Sequence, residues 1–413
     1  MSATTQTLSQ INQCQKTERK YYIDWIRIIS ILGLIVTHSA TLFTSDTLSA
    51  VNGGYNPVLA GIIQFLIGWR LSLLFVVSGL GTFLALGFRT GPQFARERVR
   101  RILIPLIVGT FLISPVQIYL GLLRVPRYNH SYLEYYKISL IGLFTRGSFG
   151  VPRESIHWAH LWYLAYLFIF SLTLLPLFLY LKTPRGQKIV TAIASILSKR
   201  WAIFLPVVPL IIADLILRPR WPGGFTFVND LANVARFSIL FIYGYLILFD
   251  ERIGKAIDRY GKVSLIFAAI CSSIYVTLYF SHNLPRRGYN LPFLLLAAVR
   301  SANAWFGVVG FLSLGRKYLN FKNKLLPYAT EAVYPVYVLH MPITSLIALK
   351  VVYWPIYTGF QFLIISIGTI GCSLIIIELL IKQTNITRML FGLKPKPQES
   401  KVLKESTYQT VSE

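Results

Sequence analysis

The sequence predicts an all-α polytopic membrane protein, a bundle of about ten transmembrane helices with both termini in the cytoplasm. Three observations predict it. Hydrophobic residues make up 54% of the 413, and the mean hydropathy is +0.56. They fall in runs of about 20 residues, the length that crosses a hydrocarbon core at about 1.5 Å per residue. The basic residues are unevenly placed: with the N-terminus inside, the cytoplasmic segments hold 27 of the 41 Lys and Arg and the external loops 9. That bias sets the orientation. It also accounts for the net charge of +25 without nucleic acid, because no basic cluster sits on a soluble domain.

Residues 1–20 form a polar cytoplasmic tail ending in Lys16, Arg19 and Lys20. No cleavable leader is expected, since the first apolar run follows this tail, is too long for a signal core and contains ionisable residues. That first span, 21–43, carries Asp24, Arg27 and His38. Ionisable groups at membrane depth face a protein-lined cavity rather than lipid. Arg27 and His38 are eleven positions apart, so they share one helix face to within about 20° and stand about 16 Å apart along the axis. One face thus offers a cation near one membrane surface and an imidazole deep toward the other.

Nine further spans follow at 60–87, 102–122, 158–181, 201–217, 233–250, 263–281, 292–314, 327–351 and 358–381. The longest gap, 123–157, is an amphiphilic loop holding Tyr128, Tyr132, Tyr135 and Tyr136, with room for a short interfacial helix. Residues 21–381 form one membrane domain without internal repeat, and 382–413 a basic, then polar, cytoplasmic tail.

Depth sorts the ionisable groups. His38, Arg70, His160 and His340 fall in the outer half, while Arg27, Arg98, Arg100 and Arg101 share the inner edge. Blander readings stand beside the functional ones. A transmembrane His can simply bond a backbone carbonyl, and Arg98, Arg100 and Arg101 fit ordinary cytoplasmic charge. Arg70, Arg236 and Arg300 are within snorkelling reach of an interface. Arg27 can bridge to Asp24, and Asp214 and Glu378 read as buried partners of unidentified cations. Trp25, Trp69, Trp158, Trp201, Trp221 and Trp354 read as interfacial anchors. Cys14, Cys271 and Cys372 are too few for a disulfide framework. There is no P-loop, no nucleophile elbow and no zinc-ligand spacing, so no metal is expected.

One ordered series remains. Arg27 is followed after ten residues by His38, then by Leu-Phe-Val-Val-Ser-Gly (74–79, containing Ser78), Arg98-Val-Arg-Arg101 leading to Pro105, His160-Leu-Trp162-Tyr-Leu, and Tyr337-Val-Leu-His340-Met-Pro-Ile. This series resembles acyltransferase family three of integral membrane proteins over nearly the whole membrane domain. Within that family it is most similar to the periplasmic glucan succinyltransferases, through Tyr-Tyr-Ile-Asp-x-Ile-Arg at 21–27, Arg70 and Phe-Gly-Leu-Lys-Pro at 391–395. Many relatives carry a Glu shortly after the Trp of the fourth-span motif. Ala165 and Tyr166 follow here, so no role of that carboxylate carries over.

The resemblance implies an O-acyltransferase of the inner (plasma) membrane, moving an acetyl or succinyl group from cytoplasmic acyl-coenzyme A to a hydroxyl of an extracytoplasmic carbohydrate, with no tightly bound cofactor. Arg98, Arg101 and Arg27 would hold the coenzyme A phosphates, which suits guanidinium chemistry. The thin pantetheine arm matches the rise from Arg27 to His38. His38 would act as general base, or as acyl carrier; an imidazole of ordinary pKa about 6.5 suits the former. Arg70, His160, Trp162, Tyr337, His340 and Ser78 are the residues expected around the acceptor and the acyl group, Arg70 facing any dicarboxylic acyl chain. The alternative is a transporter or flippase for an anionic substrate, since buried Arg and His along a pore serve that equally well.

Overall fold

The computed structural model describes residues 19–44, 54–125, 128–145, 156–227 and 229–396. Cys14, Lys16 and residues 397–413 lie outside them. All regular structure among the described residues is helical: α1 (Tyr21–Thr41), α2 (Pro57–Leu66), α3 (Arg70–Gly87), α4 (Gly91–Leu122), α5 (Tyr132–Thr145), α6 (Ala159–Thr173), α7 (Leu175–Leu181), α8 (Pro184–Leu197), α9 (Ala202–Leu217), α10 (Leu231–Phe249), α11 (Glu251–Phe280), α12 (Leu291–Tyr318), α13 (Leu325–Val351), α14 (Thr358–Ile381) and α15 (Asn385–Leu390). Among the described residues eight units are long and apolar enough to cross a membrane, α2 and α3 counting as one, and ten if each of the bent pairs α6–α7 and α8–α9 is one span. The fold is therefore an all-α polytopic membrane bundle.

Local chemistry sets the helix starts. The Asn56 side chain accepts from the Val58 and Leu59 N–H groups at 3.1 Å, with Pro57 at the first helical position of α2. Asn290 does the same for Phe293 at the start of α12. Thr183 caps α8 by accepting from the Gly186 N–H at 3.2 Å, and Pro184 follows it. These signals make 184–197 a helix where the sequence reading has a basic loop. The helix is amphipathic, burying Val190 and Ala194, and it meets α9 at 118°. The amphiphilic loop contains α5, whose Tyr132 and Tyr135 rings pack around Tyr119 of α4.

α1 packs against α2, α3, α12, α13 and α14, with Ile29 and Val36 left on an exposed stripe. α3 and α10 cross at two glycines. A Cβ on Gly79 would fall on the Phe241 carbonyl oxygen, and one on Gly244 on that of Val76. Small residues let backbones touch in a medium where lipid supplies no hydrophobic drive between helices. Gly244→Ala is therefore expected to destabilise the bundle by about 1–3 kcal/mol through overpacking, read as a lower melting midpoint in detergent. Gly33→Ala, where a Cβ meets nothing within 4 Å, serves as the control and leaves the midpoint unchanged or slightly raised.

α4 is wound unevenly, with π-helical turns at Val99–Leu103 and Gly109–Ile113. Such turns widen the helix and re-aim its side chains. The first of them carries Arg100 and Arg101 and starts directly after Arg98.

Candidate active site

Two cavities with charged residues in their linings adjoin within the bundle. The first, of about 260 Å³, is lined by His38, Arg70, His160, Trp162, Arg218 and Arg236 among others; we call it the histidine chamber. The second, of about 620 Å³, is lined by Arg19, Arg27, Arg89, Arg98, Arg101 and Lys394 among others. Arg19 and Lys394 come from the two described ends of the chain, so this is the terminal chamber. Leu74, Tyr163 and Tyr337 line both cavities and form the septum between them. The Tyr163 hydroxyl stands 2.5 Å from Ser78 Oγ and donates to the Leu74 carbonyl at 3.4 Å. α1 passes the septum, with Arg27 in one chamber and His38 in the other.

Three imidazoles meet at the histidine chamber. His340 lies behind the wall, with its ring centroid 5.4 Å from that of His38 and 5.1 Å from that of His160. Two prolines break the ladder of α13, and the second explains how His160 is held. Pro342 has no N–H to give to the Val338 carbonyl four residues earlier. His160 Nε2 takes that carbonyl instead, at 2.9 Å, while its Nδ1 lies 2.6 Å from Gln117 Oε1. The Tyr337 hydroxyl closes the tie by donating to the His160 carbonyl at 2.6 Å. His340 Nδ1 donates to the Tyr337 carbonyl at 2.5 Å, and its Nε2 has no partner among the described residues. No group of three or more His, Cys, Asp or Glu among the described residues is arranged to hold a metal ion.

The charge in this chamber is one-sided. Arg70, Arg218, Arg236 and Arg300 line it, and no carboxylate does. Their counter-charge lies behind them. Asp214, 1% exposed, accepts from Arg218 Nε and Nη2 at 3.1 and 2.8 Å, from Arg236 Nη1 at 2.8 Å and from Ser301 Oγ at 2.5 Å. Arg218 continues to Asn233 Oδ1 at 2.8 Å, and Asn233 Nδ2 donates to Asp230 at 2.8 Å. Asp230 also accepts from the Tyr166 hydroxyl. Burial pushes the Asp230 carboxyl above its ordinary pKa, which weakens it as a counter-ion and leaves Asp214 as the main one. Arg70 donates to Thr37 Oγ1, and its Nε is unpartnered among the described residues.

The terminal chamber joins charge to an apolar throat. Glu97 takes Arg89 at 2.7 Å and Arg101 at 3.3 Å. Asp24 lies 3.1 Å from Arg19 and 3.8 Å from Arg27. The Arg98 guanidinium packs over the Phe94 ring and has no carboxylate partner among the described residues. Ile31, Leu74, Ile102, Leu164, Leu167 and Val333 give the cavity its apolar lining, beside the hydroxyl-bearing Ser78, Thr330 and Tyr334.

Each residue expected at the site thus has a place. Arg27, Ser78, Arg98 and Arg101 line the terminal chamber, His38, Arg70, His160 and Trp162 the histidine chamber, and Tyr337 both. His340 lines neither and touches His38 and His160. Arg236, read as a snorkelling residue, is buried and bound to Asp214. Glu378, read as a buried partner, is a half-exposed mate of Lys382 at 2.6 Å. The sequence reading missed Arg218 and Arg300 in one chamber and Arg89 and Lys394 in the other. Arg218 carried one usable signal, since it stands four residues after Asp214, the spacing of a helical ion pair.

Among curated proteins and among solved structures nothing matches the chain. A family model described as an acyltransferase domain matches residues 20–378, which takes in α1 through all but the last residues of α14 and every chamber-lining residue named above except Arg19 and Lys394. The chain belongs to this acyltransferase family of membrane-spanning proteins.

Proposed function

We propose that the chain transfers an acetyl or succinyl group from acyl-coenzyme A in the terminal chamber to a carbohydrate hydroxyl in the histidine chamber. The observation that carries this reading is α1, which presents Arg27 to one chamber and His38 to the other, the two chambers sharing Leu74, Tyr163 and Tyr337 in their linings. The terminal chamber suits the donor. Guanidinium groups match phosphate oxygens in charge and geometry, and the apolar throat above them suits a pantetheine arm. The excess of Lys and Arg in the segments on that side supports a cytoplasmic terminal chamber in the inner membrane.

In this mechanism the thioester reaches the septum beside His38. The neutral imidazole takes the proton of the acceptor hydroxyl, and the oxygen attacks the thioester carbonyl. The carbon–sulfur bond then breaks, and coenzyme A leaves as the thiol with the proton that His38 returns. His160, fixed at both ring nitrogens, and Trp162, stacked on Phe225 at 4.0 Å, would shape the acceptor side. Arg70 would meet a second carboxylate on the acyl group.

A second reading, an anion transporter or flippase, is favoured by the four arginines of the histidine chamber and the absence of a carboxylate from its lining. The two are separated by coenzyme A release from purified protein in detergent, given acetyl- or succinyl-coenzyme A with a glucan acceptor. An acyltransferase releases thiol where no gradient exists, and a transporter does not. Arg98→Ala and Arg101→Ala are each expected to lower kcat/KM for the donor about 10- to 100-fold, the value of one charge-assisted contact, mostly through KM. Unchanged KM values in both variants would remove these arginines from the donor site.

A further inference from the structure

Residues 382–396, which follow α14, stay against the bundle. α15 is capped at both ends of its first turn by the Thr384–Thr387 pair, and Leu393 N–H returns to the Arg388 carbonyl at 2.8 Å. Arg388, 8% exposed, then does two things. Its Nη2 donates to Glu331 Oε1 of α13 at 2.5 Å, and its Nε to the Lys394 carbonyl at 2.6 Å. The Lys396 N–H is held by Asn385 Oδ1 at 2.8 Å. Gly392 sits at φ +71°, where a Cβ would meet the Tyr334 ring and the Arg101 carbonyl oxygen. Residues 391–396 are thus a strap fixed along the terminal chamber, with Gly392, Leu393 and Lys394 in its lining. The strap lies against the backbone of the very turn that carries Arg101.

Lys394 differs from the rest of the strap. Its carbonyl is pinned, but no carboxylate among the described residues takes its ammonium, and the side chain lines the chamber. With it the lining holds six cationic side chains against the two carboxylates Glu97 and Glu331. Such an excess, facing a cavity with an apolar throat, matches a ligand with clustered phosphates at one end and a lean apolar arm at the other.

We propose that the strap is a wall of the donor site and that Lys394 contacts a phosphate of the coenzyme A moiety. This rests on the donor reading given above. The donor site is then closed by the chain's own C-terminal segment, beyond the end of the matched acyltransferase domain.

The test compares binding of coenzyme A and of pantetheine, which lacks the nucleotide and its phosphates, to the full-length protein in detergent by calorimetry. Wild type, Lys394→Gln and Lys394→Glu are measured alongside turnover of acetyl-coenzyme A. The exposed position of Lys394 makes both variants compatible with folding. The proposal expects the preference for coenzyme A over pantetheine to fall about fivefold in Lys394→Gln and further in Lys394→Glu. A preference equal to wild type in both variants overturns the role of the strap while leaving the acyltransferase reading intact. Turnover lost together with coenzyme A binding in the wild-type protein overturns both.

Discussion

His38→Ala lowers the rate of acyl transfer by about 10²- to 10⁴-fold, the usual contribution of a positioned general base. The loss is expected to fall on kcat, with the KM of the acyl donor little changed, because the residues proposed to hold the donor phosphates, Arg27, Arg98 and Arg101, line the other chamber. Thiol release from acetyl- or succinyl-coenzyme A, followed with wild type and variant side by side, reads the effect directly. The fold should survive, since His38 lines a cavity and makes none of the side-chain bonds that tie His160 to α13. Equal rates in the two proteins would make His38 a structural residue and leave the histidine chamber without a base. Accumulation of an acylated protein in the wild type would instead mark His38 as the carrier of the acyl group.

Asp214→Ala produces the largest loss of stability, about 3–5 kcal/mol, as expected when one side of a buried ion pair is removed. The carboxylate is the common acceptor for Arg218, Arg236 and Ser301. Without it neither guanidinium has a bonded carboxylate among the described residues, and Arg218 reaches Asp230 only through Asn233. The variant should show a lower melting midpoint and a poorer yield of folded protein, and high salt should not rescue it, because screening reaches buried pairs weakly. Asp214→Asn keeps an acceptor for Ser301 and loses the charge, so it should fall between wild type and alanine. A melting midpoint equal to wild type in Asp214→Ala would show that the chamber's arginines need no internal counter-ion.

These two sites differ in how far the sequence reveals them. Arg27 and His38 lie on a single helix, so their spacing alone fixes a shared face and a rise. The hydropathy runs and the lysine and arginine bias likewise depend only on local composition. The Asp214 node does not. Arg236 is 22 positions away on α10, and the pairing exists only because α9 and α10 pack together around it. Arg218 looked like loop charge, since the span was taken to end just before it. The docking of the strap was hidden for the same reason: 391–395 stand out only as a motif in a tail read as basic, then polar, and nothing local tells that Arg388 finds Glu331, 57 positions upstream. α8 was lost to a different conflict, in which its basic residues outweighed a clear Thr-Pro start signal.

The septum has an electrical consequence. An energised membrane stores about 2.3 kcal/mol per elementary charge for each 100 mV, normally spread over about 30 Å of hydrocarbon. Leu74, Tyr163 and Tyr337 line both cavities, so with the two cavities reached from opposite faces that drop would concentrate on these three residues. In that arrangement one leucine and two tyrosines, each held by its hydroxyl to a backbone carbonyl, would be the insulation between the two sides. A charge carried past those rings would then do much of the electrical work of crossing the bilayer.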